Sequence, residues 1–199
     1  RAKDGTILDG LFSGEVITSQ GRQYLLTVMI DLTRRKAAER QLLHERQRLA
    51  DIIQGTHVGT WEWNVQTGET TFNDIWAEIV GYTLEELAPI SIATWEALAH
   101  PDDLKTSGEL LERHFSGELP YYDYQARMRH KDGHWVWVHD RGKVTTWTDE
   151  GKPLMMFGTH TDISGEKQAE AILKETNLEL ERASTRAKEL AARAEMANI

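Results

Sequence analysis

Two kinds of side chain in this sequence could do acid–base or nucleophilic chemistry: its eight histidines and its pairs of adjacent acids. His44 precedes Glu45 on a helix-like segment, and a histidine followed by an acid can act as a phosphate-accepting nucleophile with a positioning group. Gln47-Arg48 stands where such a box needs threonine and proline, so we interpret His44 as an ordinary helix residue. Glu85-Glu86 and Asp102-Asp103 stand at helix starts, which favours a role beside the helix dipole over a hydrolytic pair.

Most of the other histidines are interpreted as structural residues. His130 and His134 flank a turn, where we expect the side chains to diverge, so the sequence predicts no metal site. His100 precedes a proline and two acids, which is typical of a turn that starts a helix. His139 and His160 are expected on neighbouring strands as hydrogen-bonded sheet residues.

The composition excludes several cofactors and enzyme classes. The chain has no cysteine, which removes disulfides, cysteine zinc sites, iron–sulfur clusters and flavins bonded to a thiol. It has no Gly-x4-Gly-Lys-Ser/Thr loop to hold ATP phosphates. We therefore predict that this chain is not itself an enzyme and carries no covalently bound cofactor.

Charge and hydropathy limit the partners. The 199 residues carry a formal charge of −9, and residues 55–163 alone carry −10, so an acidic surface there disfavours nucleic acid. The longest apolar stretch, Tyr24 to Ile30, is far shorter than the ~20 residues that span a bilayer. No leader sequence follows Arg1, which leads us to expect a cytoplasmic fragment of a longer protein, without membrane contact.

An internal repeat organises the chain. Lys3-Asp4-Gly5 is echoed by Lys131-Asp132-Gly133, and residues 31–39 are echoed by residues 162–170 at an offset of 131. The chain is therefore expected to hold the end of one domain and then a complete domain of the same kind. Because an isolated hairpin is marginal in water, we expect the incomplete domain to borrow a partner surface. The predicted parts are 1–33, two strands of an incomplete domain; 34–54, a linker helix; 55–163, a complete domain; and 164–199, a C-terminal helix.

The complete unit is predicted to be an α+β fold. Trp61, Trp63 and Val65 alternate with polar residues, which indicates a strand, and apolar residues at helical spacing indicate short helices that end at glycines or prolines. The whole is predicted to be a five-stranded antiparallel sheet with helices on one face. The predicted strands are 60–65, 70–73, 121–128, 135–141 and 154–163, after 7–16 and 23–30 in the incomplete unit; the predicted helices are 75–80, 84–87, 92–98 and 103–115.

One strand of this sheet is apolar at four successive positions, Trp135 to Val138. Both of its faces therefore need cover, and helices on one face supply only half of it. We expect a flanking helix or a second protein on the other face. The alternative is a solvated outer face with scattered valines.

The C-terminal helix has the strongest periodicity in the chain. Its small and apolar residues step alternately by four and three, the 3.5-residue repeat of helices that supercoil around a partner. The first helix shares this register through Leu42 and Leu49. We predict a parallel homodimer with a weak, alanine-rich seam; the alternative is a single amphipathic helix on its own domain. The predicted seam is Ala169, Leu173, Thr176, Leu180, Ala183, Ala187, Leu190, Ala194 and Ala197.

The strand-to-helix connection is a predicted signal junction. Asp162 and Ile163 join the last strand directly to the helix, so a change in sheet packing displaces the start of a rigid rod. Ser164 in this copy and Thr33 in the first copy are hydroxyl residues, which we expect to cap the helices by accepting bonds from the first free amides.

The complete unit resembles the PAS sensor family, in the subgroup with a tryptophan-rich first strand and a C-terminal PAC motif. Residues 1–33 resemble the last third of a preceding PAS domain, and residues 193–199 are similar to the helix that enters the phospho-acceptor domain of sensor histidine kinases. The blocks that carry the resemblance are Gly59-Thr60-Trp61-Glu62-Trp63, Gly81-Tyr82, His100-Pro101-Asp102-Asp103, Lys131-Asp132-Gly133, Gly158 and Asp162-Ile163-Ser164.

The resemblance implies a homodimeric signalling module of a two-component system, which relays a signal through its C-terminal coiled coil to a histidine kinase in the same polypeptide. It also implies a ligand-sized space beneath the helices. Some members of the family hold haem through a helix histidine, so the alternative is a sensor of haem or a small ligand that controls another output, such as a cyclic-dinucleotide cyclase. The expected pocket residues are Trp76, His114, Phe115, Tyr124, Trp137 and Phe157.

Overall fold

The computed structural model describes residues 5 and 7–197 and divides into two compact units, Arg1–Thr56 and His57–Ile199. Lys3 and Asp4 of the first echo, and residues 198–199 of the tail, lie outside the described residues. The first unit holds β1 (Gly10–Ser19), β2 (Arg22–Asp31) and α1 (Thr33–Thr56). The second holds β3 (Gly59–Asn64), β4 (Thr70–Phe72), α2 (Asp74–Ile79), α3 (Leu84–Leu87), α4 (Ile92–Leu98), α5 (Pro101–Phe115), β5 (Tyr122–Arg129), β6 (Trp135–Trp147), β7 (Pro153–Asp162) and α6 (Ser164–Ala197).

The first unit is an antiparallel hairpin that leads into a helix. β1 and β2 pair along their whole length, and Gln20 and Gly21 form a two-residue turn with positive φ at both positions. Such a turn matches the twist of the paired strands. Every residue of both strands is exposed within the unit, including Phe12 and Met29. The expectation that this hairpin borrows a partner surface stays a prediction.

The second unit confirms the predicted mixed fold with a five-stranded antiparallel sheet and helices. The strand order is β4-β3-β7-β6-β5, so β3 joins its hairpin with β4 to the β5-β6-β7 meander. Strand ends in this unit lie within one or two residues of the predicted ones, except in β6. That strand continues to Trp147 because residues 142–147 keep pairing with β7, with register shifts near Thr146.

The core of this unit depends on two glycines under a tryptophan. The Trp61 indole extends from β3 over β7 to β6, and Gly158 on β7 and Gly142 on β6 leave room for it. A Cβ atom at Gly158 would lie 2.2 Å from the Trp61 ring, and one at Gly142 would lie 2.4 Å from it. Close packing therefore requires residues without side chains at both positions.

The apolar run of β6 divides between the two faces of the sheet. Val136 and Val138 are buried in the core, whereas Trp135 and Trp137 point to the opposite face. The first turn of α6 covers part of that face, because the Lys167 ammonium lies 5.3 Å from the centre of the Trp137 ring. Trp135 keeps 38% of its surface exposed and packs beside the guanidinium of Arg129.

A buried ion pair fixes α5 to β5. Asp103, on the first turn of α5, accepts three hydrogen bonds of 2.8 Å from Arg127: one from the backbone amide and two from the guanidinium. These bonds hold the pKa of the Asp103 carboxyl below its usual value, against the opposing effect of burial. Asp103 was expected to complement the helix dipole and does lie in the first turn of α5; its carboxylate also bridges two elements, which the sequence did not indicate.

Gly158→Ala is expected to lower the free energy of unfolding by about 1–3 kcal/mol or more, because the added methyl group overpacks the core against Trp61. Chemical denaturation measures this loss. Gly108→Ala is the matched control, since Gly108 lies inside α5 with open space around its Cα; it should raise stability by about 0.5–1 kcal/mol. Equal stability of the Gly158 variant and the unsubstituted chain would contradict this packing.

Asp103→Asn should cost about 1.5–3 kcal/mol at neutral pH, because it removes charge-assisted hydrogen bonds. The folded-state pKa of Asp103 is depressed, so the stabilisation is present above the unfolded-state pKa of about 3.9 and is lost as the pH falls through the lower folded-state value. Denaturation curves should therefore show a difference between the variant and the unsubstituted chain that narrows below about pH 4. A difference that stays constant with pH would contradict the assignment.

Candidate functional site

A cavity of about 40 Å³ lies between the sheet and the helices of the second unit. All five strands and helices α2, α4 and α5 contribute to its wall, which is mainly aromatic. A cavity of 150 Å³ holds one benzene, so this space suits a few water molecules or a ligand of a few heavy atoms and is much too small for haem or flavin. The wall consists of Trp61, Trp63, Thr70, Phe72, Trp76, Ile92, Trp95, Ser107, Leu111, Tyr122, Asp140 and His160.

Of the six expected pocket residues, only Trp76 lies on this wall. Phe115 and Tyr124 pack against the core beyond the cavity. Trp137 and Phe157 lie on the opposite face of the sheet and do not line the space, because their neighbours in β6 and β7 fill the inner face. Trp135 to Val138 are all apolar, so the sequence does not show which two of these four side chains face the core.

His114, the sixth expected residue, joins the end of α5 to β6. Its Nδ1 atom lies 2.9 Å from the Leu119 carbonyl oxygen, and its Nε2 atom accepts a 3.0 Å bond from the Val144 amide. The two contacts fix the tautomer, with the proton on Nδ1. Both ring nitrogens are therefore engaged, and neither is available to ligate a haem iron.

A buried polar cluster lies on the cavity wall. Asp140 accepts a hydrogen bond from the Trp61 indole (2.9 Å), and Nε2 of His160 lies 3.1 Å from the same carboxylate oxygen. Asp140 and His160 are direct cross-strand partners of β6 and β7, and both are almost fully buried. Trp76 stacks on the His160 ring with 5.6 Å between ring centres. The sequence indicated His160 only as a sheet residue; correct pairing of β6 with β7 would have placed it opposite Asp140.

A second buried pair joins helix and sheet at the cavity. The hydroxyl groups of Tyr122 and Ser107 are 2.8 Å apart. Burial raises the pKa of the Tyr122 phenol far above its usual value, and the negative charge of Asp140 raises it further. Tyr122 is therefore a neutral hydroxyl that can donate or accept a hydrogen bond at the wall.

Three tryptophans on the wall keep free hydrogen-bond donors. The indole nitrogens of Trp63, Trp76 and Trp95 are buried, and each has no hydrogen-bond partner among the described residues. A buried donor without a partner is costly. The surface of the cavity itself is apolar, and these indole nitrogens are not exposed to it.

The strand-to-helix junction forms a second part of the site. The Trp137 carbonyl accepts a 2.9 Å bond from the Ile163 amide, and the Trp137 amide donates a 3.0 Å bond to the Ser164 hydroxyl. The Ser164 amide donates to the Asp162 carboxylate at 2.8 Å. This corrects the expected cap: the carboxylate, not the hydroxyl, accepts from the first helical amide, and the hydroxyl ties the helix to β6.

The first unit repeats the junction with the same atoms. The Leu32 amide donates to the Asp9 carbonyl (2.7 Å), the Asp9 amide donates to the Thr33 hydroxyl (2.9 Å), and the Thr33 amide donates to the Asp31 carboxylate (2.9 Å). Asp9 corresponds to Trp137 and Thr33 to Ser164, at the same offsets of 128 and 131 as the sequence echoes. The expected Thr33 cap is corrected in the same way.

The two long helices expose their apolar seams within the single chain. Leu42 and Leu49 of α1, and Leu173, Leu180 and Leu190 of α6, are more than half exposed. The side chains of Ala194 and Ala197 lie outside the described residues, and the dimer stays a prediction. Among the described residues, no helix combines the length and apolar character of a membrane span.

The turn between β5 and β6 differs from the expectation. His130 and His134 do not diverge: their rings stack with centres 4.4 Å apart. Both Nδ1 atoms approach Oδ1 of Asp132, at 2.8 Å and 2.5 Å. The tight turn at Gly133, with φ of 101°, folds the two side chains onto the same side.

Comparison with known proteins identifies the fold of the second unit. Residues 69–160 match the family model PAS_3, described as PAS fold. A crystal structure of a sensory box histidine kinase/response regulator from Burkholderia thailandensis E264 is 29% identical, with a TM-score of 0.59, over 68% of this chain and 98% of that one. The sheet order, the family match and this likeness together show that the second unit has the PAS fold.

Two further comparisons match domains from a different class of protein. The probable diguanylate cyclase DgcE of Escherichia coli (strain K12) is 29% identical over 100 residues, which is 50% of this chain and only 9% of that protein. The N-terminal domain of a diguanylate cyclase with PAS/PAC sensor from Marinobacter aquaeolei is 24% identical over 55% of this chain and 98% of that one, with a TM-score of 0.48.

Asp140→Ala should lower the free energy of unfolding by about 3–5 kcal/mol, because it leaves the Trp61 indole buried without its acceptor and removes the carboxylate beside the buried His160. Chemical denaturation tests this. Asp123→Ala is the control, since Asp123 is a half-exposed carboxylate on β5 that pairs with His139 and Arg141; it should change stability by less than about 1 kcal/mol. A similar small effect at Asp140 would refute the buried cluster.

Proposed function

We propose that this chain is a signalling module in which a PAS domain sets the position of helix α6 and thereby controls an output domain in the same polypeptide. The proposal rests on one observation: the backbone of Trp137 in β6 is bonded in both directions to the first residues of α6, Ile163 and Ser164. A helix held in this way moves with the strand rather than independently of it.

Strand β6 connects the cavity to the strand-to-helix junction, because Asp140 and Trp137 are only three residues apart in it. Asp140 faces the cavity, and Trp137 holds α6 on the other face of the same strand. A change at the Asp140–His160 pair that shifts β6 is therefore expected to shift the start of α6. The input must favour one of two arrangements, since a ligand moves an equilibrium only by its differential affinity.

The output is proposed to pass through a parallel homodimeric coiled coil. The α6 seam repeats every 3.5 residues, and its leucines are exposed in the single chain. Alanines dominate the seam, and each buries little area, so two registers of the coil differ little in free energy. The seam runs through Leu173, Thr176, Leu180, Ala183, Ala187 and Leu190.

The first unit is proposed to be the end of a preceding PAS domain with its own output helix. Its junction reproduces that of the second unit bond for bond, and its apolar hairpin faces are exposed. Residues 1–33 would then complete a sheet whose other strands come from the same domain. Residues 34–54 would act as the linker helix.

A histidine kinase is the favoured output. The likeness to the Burkholderia sensory box histidine kinase/response regulator supports it, together with the kinase-like pattern of residues 193–199. A cyclic-dinucleotide cyclase is the second candidate, since the curated relative is a probable diguanylate cyclase. Either enzyme lies in the polypeptide beyond the PAS domain in this proposal.

The cavity favours a small input over a large cofactor. Its volume of about 40 Å³ and its apolar surface suit an apolar ligand of a few heavy atoms. A relay without a ligand would instead leave this cavity dry. Mass spectrometry of small molecules released from the purified, denatured chain distinguishes the two.

The dimer is tested by sedimentation of Leu180→Glu, which places a charge in the seam and is expected to convert the dimer to a monomer. Leu178→Glu is the matched control, because Leu178 is a half-exposed leucine of the same helix outside the seam; it should stay dimeric. An unchanged mass for Leu180→Glu, or a monomeric unsubstituted chain, would contradict the coiled coil.

Coupling between the cavity and α6 is tested by measuring the distance between spin labels on the α6 helices of the two protomers. Because the chain has no cysteine, Ser184→Cys provides a single spin-label site on α6 in each protomer. Asp140→Asn in that background should change the distance between the two labels, whereas Asp123→Asn should not. Identical distance distributions for both would contradict coupling between the cavity and α6.

A further inference from the structure

We propose that His130, Asp132 and His134, on the turn between β5 and β6, bind a first-row divalent cation of the zinc type. The three side chains offer two imidazole nitrogens and one carboxylate oxygen within 4.8 Å of one another. Two imidazoles with a carboxylate are typical ligands of zinc and of its neighbours in the first row, whereas magnesium and calcium prefer oxygen alone. This site is separate from the cavity and does not depend on the proposed signalling function.

The distances require only a small opening of the cluster. The Nδ1 atoms of His130 and His134 lie 2.8 Å and 2.5 Å from Oδ1 of Asp132. Zinc bonds of about 2.0–2.2 Å at tetrahedral angles would place these ligand atoms roughly 3.3 Å apart. Rotation of the two exposed side chains, Asp132 and His134, supplies this separation, and the fourth position stays open for water or an outside donor.

The backbone holds the two histidines in register. The His130 amide donates to the His134 carbonyl, and the Gly133 amide donates to the His130 carbonyl, both at 2.9 Å. The His130 ring also packs against Gly81, where a Cβ atom would lie 2.3 Å from Nε2. This packing leaves Nδ1 as the nitrogen that faces Asp132, so one ligand atom is fixed before any cation binds.

The charges around the turn are mixed. The Asp132 carboxylate lies between the two imidazoles and contributes a negative charge. The ammonium of Lys131 is engaged by Glu86, whereas the guanidinium of Arg129 lies over the Trp135 ring and close to Gly133. Binding of a cation would therefore depend on the three ligand atoms rather than on the surrounding charge.

Zinc binding would change which ring nitrogen of His134 carries the proton. Both Nδ1 atoms approach Oδ1 of Asp132, and Nδ1 of His130 also accepts a 3.3 Å bond from the Asp132 amide. An ionised carboxylate only accepts, so Nδ1 of His134 carries the proton of its contact in the metal-free chain. Zinc needs the Nδ1 lone pair of each ring, so both rings are Nε2–H tautomers in the bound form. The tautomer of His134 is thus a direct signature of the site.

Calorimetric titration of the full chain with zinc chloride tests the proposal. One zinc ion per chain is expected to bind saturably, and His134→Ala, which alters a mostly exposed side chain, should weaken binding by at least about 10–100-fold. His139→Ala is the matched control, because His139 also pairs with a single aspartate, Asp123, on the same sheet but has no second histidine beside it. That variant should bind zinc like the unsubstituted chain.

Nitrogen-15 NMR of the imidazoles gives a second measurement that needs no variant. Zinc should convert His134 from the Nδ1–H to the Nε2–H tautomer, shift the Nδ1 signal of His130 and leave His139 unchanged. Absence of saturable binding, equal affinity in His134→Ala, loss of binding in His139→Ala, or an unchanged tautomer at His134 would each overturn the site.

Discussion

The backbone of one residue, Trp137, attaches helix α6 to the sheet of the second unit. Pairing between β6 and β7 ends at Val138 opposite Asp162, so the amide and carbonyl of Trp137 would have no partner in the ladder. Ile163 and Ser164 take up both groups as the chain turns into α6. The helix is thus a continuation of the sheet's hydrogen bonding. Because unpaired backbone groups are costly, α6 cannot separate from β6 without a penalty.

The inner face of β6 places a carboxylate, that of Asp140, inside the core. Asp140 lies among tryptophans, where an isolated carboxylate would be strongly unfavourable, and it is tolerated because the Trp61 indole donates to it and the His160 ring lies beside it. Such a cluster is sensitive to the position of three strands at once, since its members come from β3, β6 and β7. Purely apolar packing would adapt to small shifts, whereas these directional bonds weaken with distance and angle.

The sequence predicted the elements well and the side-chain directions poorly. Leu84–Leu87 and Ile92–Leu98 were placed within their observed bounds, because glycines and prolines mark where short helices end. The facing of Trp137 was not readable, since the neighbouring valines are equally apolar. The convergence of His130 and His134 depends on the turn at Gly133 and on packing against Gly81, fifty residues earlier in the sequence. Local patterns hold no information about such contacts.

The candidate cation turn and the junction belong to the same strand. His134 immediately precedes β6, and Trp137 lies three residues beyond it, so the turn defines where this strand begins. Lys131 of the turn also bonds through its amide to the carbonyl of Val80, at the end of α2, whose Trp76 stacks on His160. A ligand that stiffens the turn would therefore restrict both the strand that carries α6 and a helix on the cavity wall. Fixing one end of β6 removes one of the ways in which the strand can shift, which would raise the cost of moving α6 relative to the sheet.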